Sequence, residues 1–204
     1  MDVLKRIEEI GVVPVVTLHS VDETVPTIQT LVEGDIRVAE ICFRTECAED
    51  CIKVAVAKFP DVLIGAGTVI NKEQCIKAIG CGVKFIVSPG FSQEVCDLCK
   101  EKNVPYLPGV VTPTEIMTAI SSGLHMLKFF PAGVYGGLKA IKALGSAFPS
   151  CKFMPTGGVD NSNLAEFISC PKIIACGGSW LLKGSKEERI ASCLEARKII
   201  KENR

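Results

Sequence analysis

A chain of 204 residues, 48% hydrophobic and 23% charged, can bury a sizeable core in one large domain or two small ones. Its 23 basic residues balance its 23 acidic ones, so no global field draws it to nucleic acid or to an anionic membrane, and an anionic ligand needs a local site. No apolar run is long enough to span a bilayer, and Met1–Ile10 reads as an amphipathic helix start rather than an export signal; the cytoplasm is the expected compartment and free thiols the expected state of the 11 cysteines.

Beyond that N-terminal helix, short β-rich runs alternate with stretches of helical period. In chain order the sequence predicts a strand at Val12–Leu18, a helix at Asp22–Val32, a strand at Arg37–Phe43 and a helix at Cys47–Lys58. A strand at Val62–Ala66 precedes a helix at Lys72–Ile79, and a strand at Phe85–Ser88 precedes a helix at Gln93–Lys100. Next come a strand at Val104–Leu107, a helix at Pro113–Ser121, a strand at Met126–Phe130 and a helix at Gly137–Leu144. The series closes with a strand at Lys152–Thr156, a helix at Asn163–Ile168, a strand at Ile173–Cys176 and a terminal helix near Lys186–Lys201. Ile190, Cys193, Leu194, Arg197 and Ile200 are expected on one face of that last helix.

These are eight βα units, and no linker or compositional break divides them. The expected fold is therefore α/β: one domain over residues 1–204, a compact (β/α)8 TIM barrel with an N-terminal helix. An open doubly wound sheet is the alternative. Glycine turns recurring after several strands suit the barrel better. Cys96-Asp-Leu-Cys99 is a lone CxxC in a helical stretch with no second pair at zinc spacing, so buried small hydrophobes are the expected reading.

In such a barrel the chemistry sits where the strands end. The most informative of these positions is Lys128, within the apolar run Met126-Leu127-Lys128-Phe129-Phe130-Pro131. A lysine there must snorkel out, pair with a carboxylate or stay neutral. Burial disfavours the charged amine, and a neutral amine is a nucleophile toward a carbonyl. Lys84, Lys152 and Lys172 also adjoin strands, but at their starts, where solvent is expected.

The second strand carries Glu40, Cys42 and Arg44, which share one side if it stays regular. On its own this strand is read equally well as a polar site or as a structural ion pair. The third ends in Gly65-Ala66-Gly67-Thr68-Val69, which suits a ligand approaching the backbone or a tight turn with Thr68 capping the next helix. Ser88-Pro89-Gly90 and Pro108-Gly109 read as ordinary turns. Thr156-Gly157-Gly158 and Gly177-Gly178-Ser179 follow the last two strands, where barrels of this kind hold phosphate on backbone N–H groups. Two plain tight turns are the alternative. Taken together, a buried lysine, a carboxylate, an arginine and a phosphate cradle describe a lysine-dependent aldolase acting on a phosphorylated keto acid.

With those residues in order, the chain resembles the 2-keto-3-deoxy-6-phosphogluconate (KDPG) aldolases, which are grouped with the 4-hydroxy-2-oxoglutarate (KHG) aldolases. The resemblance runs from Gly11-Val12-Val13-Pro14-Val15 to Gly177-Gly178-Ser179-Trp180. It includes Glu40-Ile41-Cys42-Phe43-Arg44-Thr45-Glu46, Gly65-Ala66-Gly67-Thr68-Val69, Ser88-Pro89-Gly90, Lys128-Phe129-Phe130-Pro131-Ala132 and Pro155-Thr156-Gly157-Gly158. It implies a class I aldolase, usually a homotrimer, that splits the phosphorylated keto acid into pyruvate and glyceraldehyde 3-phosphate. By the resemblance, Lys128 is the Schiff-base lysine and Glu40 the general acid/base. Arg44 and Thr68 bind the pyruvate side, and Pro89 and Phe130 line that pocket. Thr156 contacts substrate, while Gly157, Gly158, Gly178 and Ser179 hold the phosphate.

The imine takes the Lewis-acid role of a metal, so neither metal nor cofactor is expected. Family members often carry an acidic residue after Phe-Pro-Ala. This chain has Gly133-Val134-Tyr135, so the loop after the sixth strand is expected to differ. Turnover of KHG or of the galactonate epimer is the neighbouring alternative. More distant ones are a phosphate-binding isomerase that forms no covalent intermediate and a catalytically silent scaffold barrel.

Overall fold

A computed structural model describes residues 2–204. Helix α1 (Val3–Ile10) starts where the Asp2 carboxylate accepts from the Leu4 N–H, and ends at Gly11 in the left-handed region (φ 80°). Strand β1 (Val12–Val16) follows, then a 3₁₀ turn (Val21–Glu23), α2 (Thr24–Glu33), β2 (Val38–Cys42), α3 (Ala48–Lys58), β3 (Leu63–Gly67) and α4 (Lys72–Gly80). The chain continues through β4 (Ile86–Val87), α5 (Gln93–Glu101), β5 (Tyr106–Leu107), β6 (Gly109–Val110), α6 (Pro113–Ser121), β7 (Met126–Phe129) and α7 (Gly137–Ala147). It closes with β8 (Lys152–Pro155), α8 (Leu164–Ile168), β9 (Cys176–Gly178), a second 3₁₀ turn (Trp180–Leu182) and α9 (Lys186–Asn203).

This is an α/β fold. Six strands pair in the order β5-β4-β3-β2-β1-β9, every neighbour parallel. Strands β6, β7 and β8 form a second parallel set. Parallel neighbours need a crossover, and the helices supply it while covering the sheet. Every residue of β1, β2 and β3 is accordingly buried. Phe129 and Phe153 meet edge to face with centroids 6.4 Å apart, and Gly65 exists because the Phe85 ring fills the space a Cβ would need. No helix among the described residues is long and apolar enough to cross a membrane.

Several predicted elements shift. The fifth strand does not stop at the Pro108-Gly109 turn. Pro108 lacks an N–H and interrupts the ladder, yet its carbonyl accepts from Lys128 N at 2.8 Å and pairing resumes at Gly109. The last strand lies at Cys176–Gly178 rather than Ile173–Cys176. Ile173 makes only an isolated bridge to Phe153, while Cys176, Gly177 and Gly178 pair with Val12, Val13 and Pro14. β-propensity favoured the isoleucines, but the glycines are strand backbone because Thr156 and Trp180 press against them: a Cβ on Gly177 or Gly178 would lie 2.3 or 2.4 Å from those side chains. On α9 the buried face is Cys193, Ala196 and Ile200, and Leu194 is exposed. Helix α6 matches its predicted span, with a capping box between Thr112 and Glu115.

The lysines sort by strand end. Lys84, at a strand start, is exposed; Lys152 pairs with Glu8 of α1, and Lys172 donates to Pro149 O. Lys128 is buried.

Candidate active site

Glu40 sits at the middle of β2 and Lys128 near the end of β7. Eighty-eight residues apart in sequence, they meet with Lys128 Nζ 3.1 Å from Glu40 Oε1. Their side chains are 4% and 0% exposed. Two charges in so dry a place attract strongly, but each has lost its hydration, so removing either partner leaves the other uncompensated. Gly67 makes room: a Cβ there would lie 2.2 Å from Glu40 Oε1. The other carboxylate oxygen, Oε2, is buried with no hydrogen-bond partner among the described residues. Such an orphaned acceptor marks where a ligand hydroxyl or a water belongs. The Phe130 ring centroid lies 5.2 Å from Lys128 Nζ, a cation–π distance.

Cys42 lies beside this pair, its Sγ 3.9 Å from Glu40 Oε1. Burial first, and then the charge of Glu40, push its thiol up to about 11. It is therefore a protonated neighbour at neutral pH and not a nucleophile.

Arg44 reaches the site by a different route from the predicted one. Strand β2 stops at Cys42, and Arg44 N bonds back to Cys42 O at 2.8 Å, so the chain turns instead of alternating onward. From that turn the exposed guanidinium donates through Nε to Thr68 Oγ1 at 3.2 Å. Thr68 itself sits at φ 55°. For a β-branched residue that region costs about 1–3 kcal/mol and is held where the surroundings demand it. Thr68 does not cap the next helix; the Asn71 side chain does, accepting from Gln74 N at 2.9 Å.

A cavity of about 450 Å³ opens at these strand ends. It brings together Arg44, Phe130, Thr156, Gly157, Gly178 and Ser179. The Lys128–Glu40 pair borders it through the Phe130 ring. Thr156 Oγ1 is a second buried atom with no partner. The loop after β7 is tied to the end of β8, with Ala132 N donating to Thr156 O and Gly133 N to Gly157 O, each at 2.9 Å. Its Val134 and Tyr135 side chains are exposed.

Five expected residues do not line this cavity: Lys128 and Glu40 lie behind Phe130, Thr68 is joined to it through Arg44, and Pro89 and Gly158 stand apart. Pro89 lines a smaller one of about 210 Å³ with Val69, Ile70 and Phe91, and its carbonyl lies where a Cβ on Gly109 would fall. Gly158 supplies backbone at φ 83°, and its carbonyl accepts from Asn163 Nδ2. Conversely, Val15, Thr17, Leu182 and Lys183 line the main cavity without having been singled out from sequence. The end of the first strand held the available signal for Thr17. Lys183 lies beyond the last glycine turn and carried none. A larger space of about 600 Å³, lined by Lys5, Glu8, Lys152 and Arg204, lies by the strand starts, and its Lys152 is tied to Glu8. No cluster of three or more metal-ligating side chains occurs among the described residues.

The family model for KDPG and KHG aldolases matches residues 3–194. The chain belongs to the KDPG and KHG aldolase family. Within it, the chain is 41% identical over 180 residues to a 2-dehydro-3-deoxy-phosphogluconate aldolase of Treponema pallidum, covering 88% of this chain and 86% of the relative. The 2-keto-3-deoxy-6-phosphogluconate aldolase of Zymomonas mobilis ZM4, solved with 3-phosphoglycerate, superimposes with a TM-score of 0.91 at 31% identity over 97% of this chain and 96% of that one. The KDPG aldolase of Legionella pneumophila, solved with pyruvate captured as a covalent carbinolamine, gives 0.86 at 30% identity over 99% and 98%. This aldolase family makes the chain a carbon–carbon lyase.

Proposed function

We propose that this chain is a class I aldolase that cleaves 2-dehydro-3-deoxy-6-phosphogluconate to pyruvate and D-glyceraldehyde 3-phosphate. The observation that carries this reading is the buried Lys128–Glu40 pair beside a cavity with Arg44 at its rim and glycine-rich backbone around it. Relatives that hold pyruvate covalently and 3-phosphoglycerate support the two halves of the substrate.

The reaction follows from the geometry. Lys128 passes a proton to Glu40, and the neutral amine adds to the C2 ketone. Glu40 then protonates the departing carbinolamine hydroxyl, water leaves, and an iminium forms on Nζ. The carboxylate takes the C4 hydroxyl proton, directly or through a water at Oε2. The C3–C4 bond breaks and its electron pair enters the iminium to give the enamine, while C4 becomes the aldehyde. Glyceraldehyde 3-phosphate departs. The enamine gains a proton at C3, and hydrolysis returns pyruvate and Lys128.

Arg44, with Thr68 orienting it, holds the α-carboxylate. Phe130 walls the pyruvate side; Pro89, which lines the smaller cavity, does not line this one. Thr156 offers its free hydroxyl to the substrate, and Gly157, Gly178 and Ser179 hold the phosphate, with Gly158 shaping the turn behind them. The chemistry uses side chains alone, with no metal or cofactor.

The same reading makes residues 1–204 one closed (β/α)8 barrel. Pro108 joins β5 to β6, and isolated parallel bridges link Phe153 of β8 to Ile173 and Thr156 to Gly177 of β9, which supports closure. Homotrimeric assembly follows from the family likeness. Eleven unpaired cysteines suit a reducing compartment and hence the cytoplasm.

Borohydride reduction in the presence of pyruvate, followed by peptide mass mapping, tests the central step. The expected product is a single pyruvyl adduct on Lys128. No adduct, or one on another lysine, would sink the reading. Comparing turnover of the gluconate substrate, its galactonate epimer and 4-hydroxy-2-oxoglutarate ranks the three.

A further inference from the structure

We propose that Lys183 is a specificity-determining residue, its ammonium capping the phosphate end of the cavity and setting this chain's preference for phosphorylated over unphosphorylated keto acids. The inference rests on the aldolase reading above. Lys183 follows the 3₁₀ turn Trp180–Leu182 and precedes Gly184, which turns the chain at φ 83°. It lines the cavity beside Gly157, Gly178 and Ser179.

The cavity's charge is one-sided. Among the described residues Arg44 and Lys183 are the only ionisable ones that line it, and the nearby carboxylate of Glu40 is paired with Lys128 behind the wall. Arg44 follows β2 and Lys183 follows β9, the two strands that flank β1. Two strand spacings separate those strands, about 10 Å. Cations set apart in this way suit a ligand with an anion at each end, such as a keto acid with a terminal phosphate, better than a single compact anion.

Lys183 is also uncommitted. Among the described residues it makes neither an ion pair nor a side-chain hydrogen bond, so at the cavity wall its ammonium is available to a ligand. The carboxylate that senses it is Asp160. That group is held below its usual range mainly by the Ser162 hydroxyl and amide, with the charge of Lys183 a lesser cause. A flexible ammonium at a cavity lip, beside backbone that already presents N–H groups, adds the point charge that glycine turns lack.

The test uses the full chain and the variants Lys183→Gln and Lys183→Arg. Trp180 is the sole tryptophan and its ring packs on Gly178, so its fluorescence reports occupancy of the cradle directly. Titration with inorganic phosphate is expected to show affinity weakened roughly fivefold to tenfold in Lys183→Gln and largely kept in Lys183→Arg. The ratio of kcat/KM for the gluconate substrate to that for 4-hydroxy-2-oxoglutarate is expected to fall by the same factor in Lys183→Gln. Unchanged phosphate affinity overturns the proposal, as does an unchanged ratio or a loss of equal size on both substrates. Failure of the wild-type chain to form a pyruvate adduct would instead remove the aldolase reading, and the phosphate titration would still judge Lys183.

Discussion

Two lysine–carboxylate pairs stand at opposite ends of the strands, and they differ almost only in their access to water. Lys152 at the start of β8 meets Glu8 at 2.7 Å, with side chains 41% and 34% exposed. Lys128 near the end of β7 meets Glu40 at 3.1 Å, with side chains 4% and 0% exposed. The wet pair is the shorter, yet water screens it, and it is expected to contribute little. The dry pair is longer, lies against Phe130 and beside a protonated Cys42, and leaves one buried carboxylate oxygen with no partner among the described residues. Contact distance does not distinguish the two pairs; solvation and the burial of an unpartnered acceptor do.

The comparison breaks most sharply under Lys128→Met. Steady-state aldol cleavage is expected to fall by at least about a thousandfold, because the amine to which the proposed mechanism assigns the imine is removed. Replacing Glu40 by Gln keeps the shape and removes the proton carrier, with an expected loss of about 10²–10⁴ in kcat. Stability separates the two ends as well. Denaturant unfolding of Lys128→Met is expected to show a loss of about 3–5 kcal/mol, largely recovered when Glu40→Gln is added, since the buried charge then goes with its partner.

The thiols sharpen the same point about burial. Desolvation pushes Cys42 and Cys193 up to about 11 and Cys176 up to about 12. Above pH 9 the unfolded chain has released these protons and the folded chain still holds them, so stability is lost as pH rises. Thermal unfolding midpoints are therefore expected to decline between pH 9 and pH 11, and replacing Cys42 by Ala is expected to flatten that decline. A pH-independent midpoint across this window would count against the buried-thiol account. The smallest effect is expected at the wet pair: Lys152→Met should change unfolding free energy by at most about 1 kcal/mol and leave cleavage unaltered.

Much of the architecture was legible from residues alone, because its signals are local. Alternating β-rich and helical periods located every helix, and α6 to the residue, since Thr112 and Glu115 write their capping box into the sequence. Lys128 was visible as a charge inside an apolar strand. The errors came where local rules met neighbours. The isoleucines at 173 and 174 looked more like a strand than Gly177-Gly178, until Thr156 and Trp180 claimed the space above those glycines. Strand alternation placed Arg44 beside Glu40, but the chain turns after Cys42 and the arginine arrives by way of Thr68.

The βα rhythm, the lysine within an apolar strand and the glycine turns are readable from the chain alone, because each depends on periodicity or backbone freedom within a few residues. Which carboxylate faces Lys128, that Glu40 Oε2 has no partner, and that Thr17 and Lys183 share a cavity with Arg44 come from long-range packing. Those facts depend on the register and stacking of strands far apart in the chain, where packing strips water from an ion pair that would be ordinary at the surface.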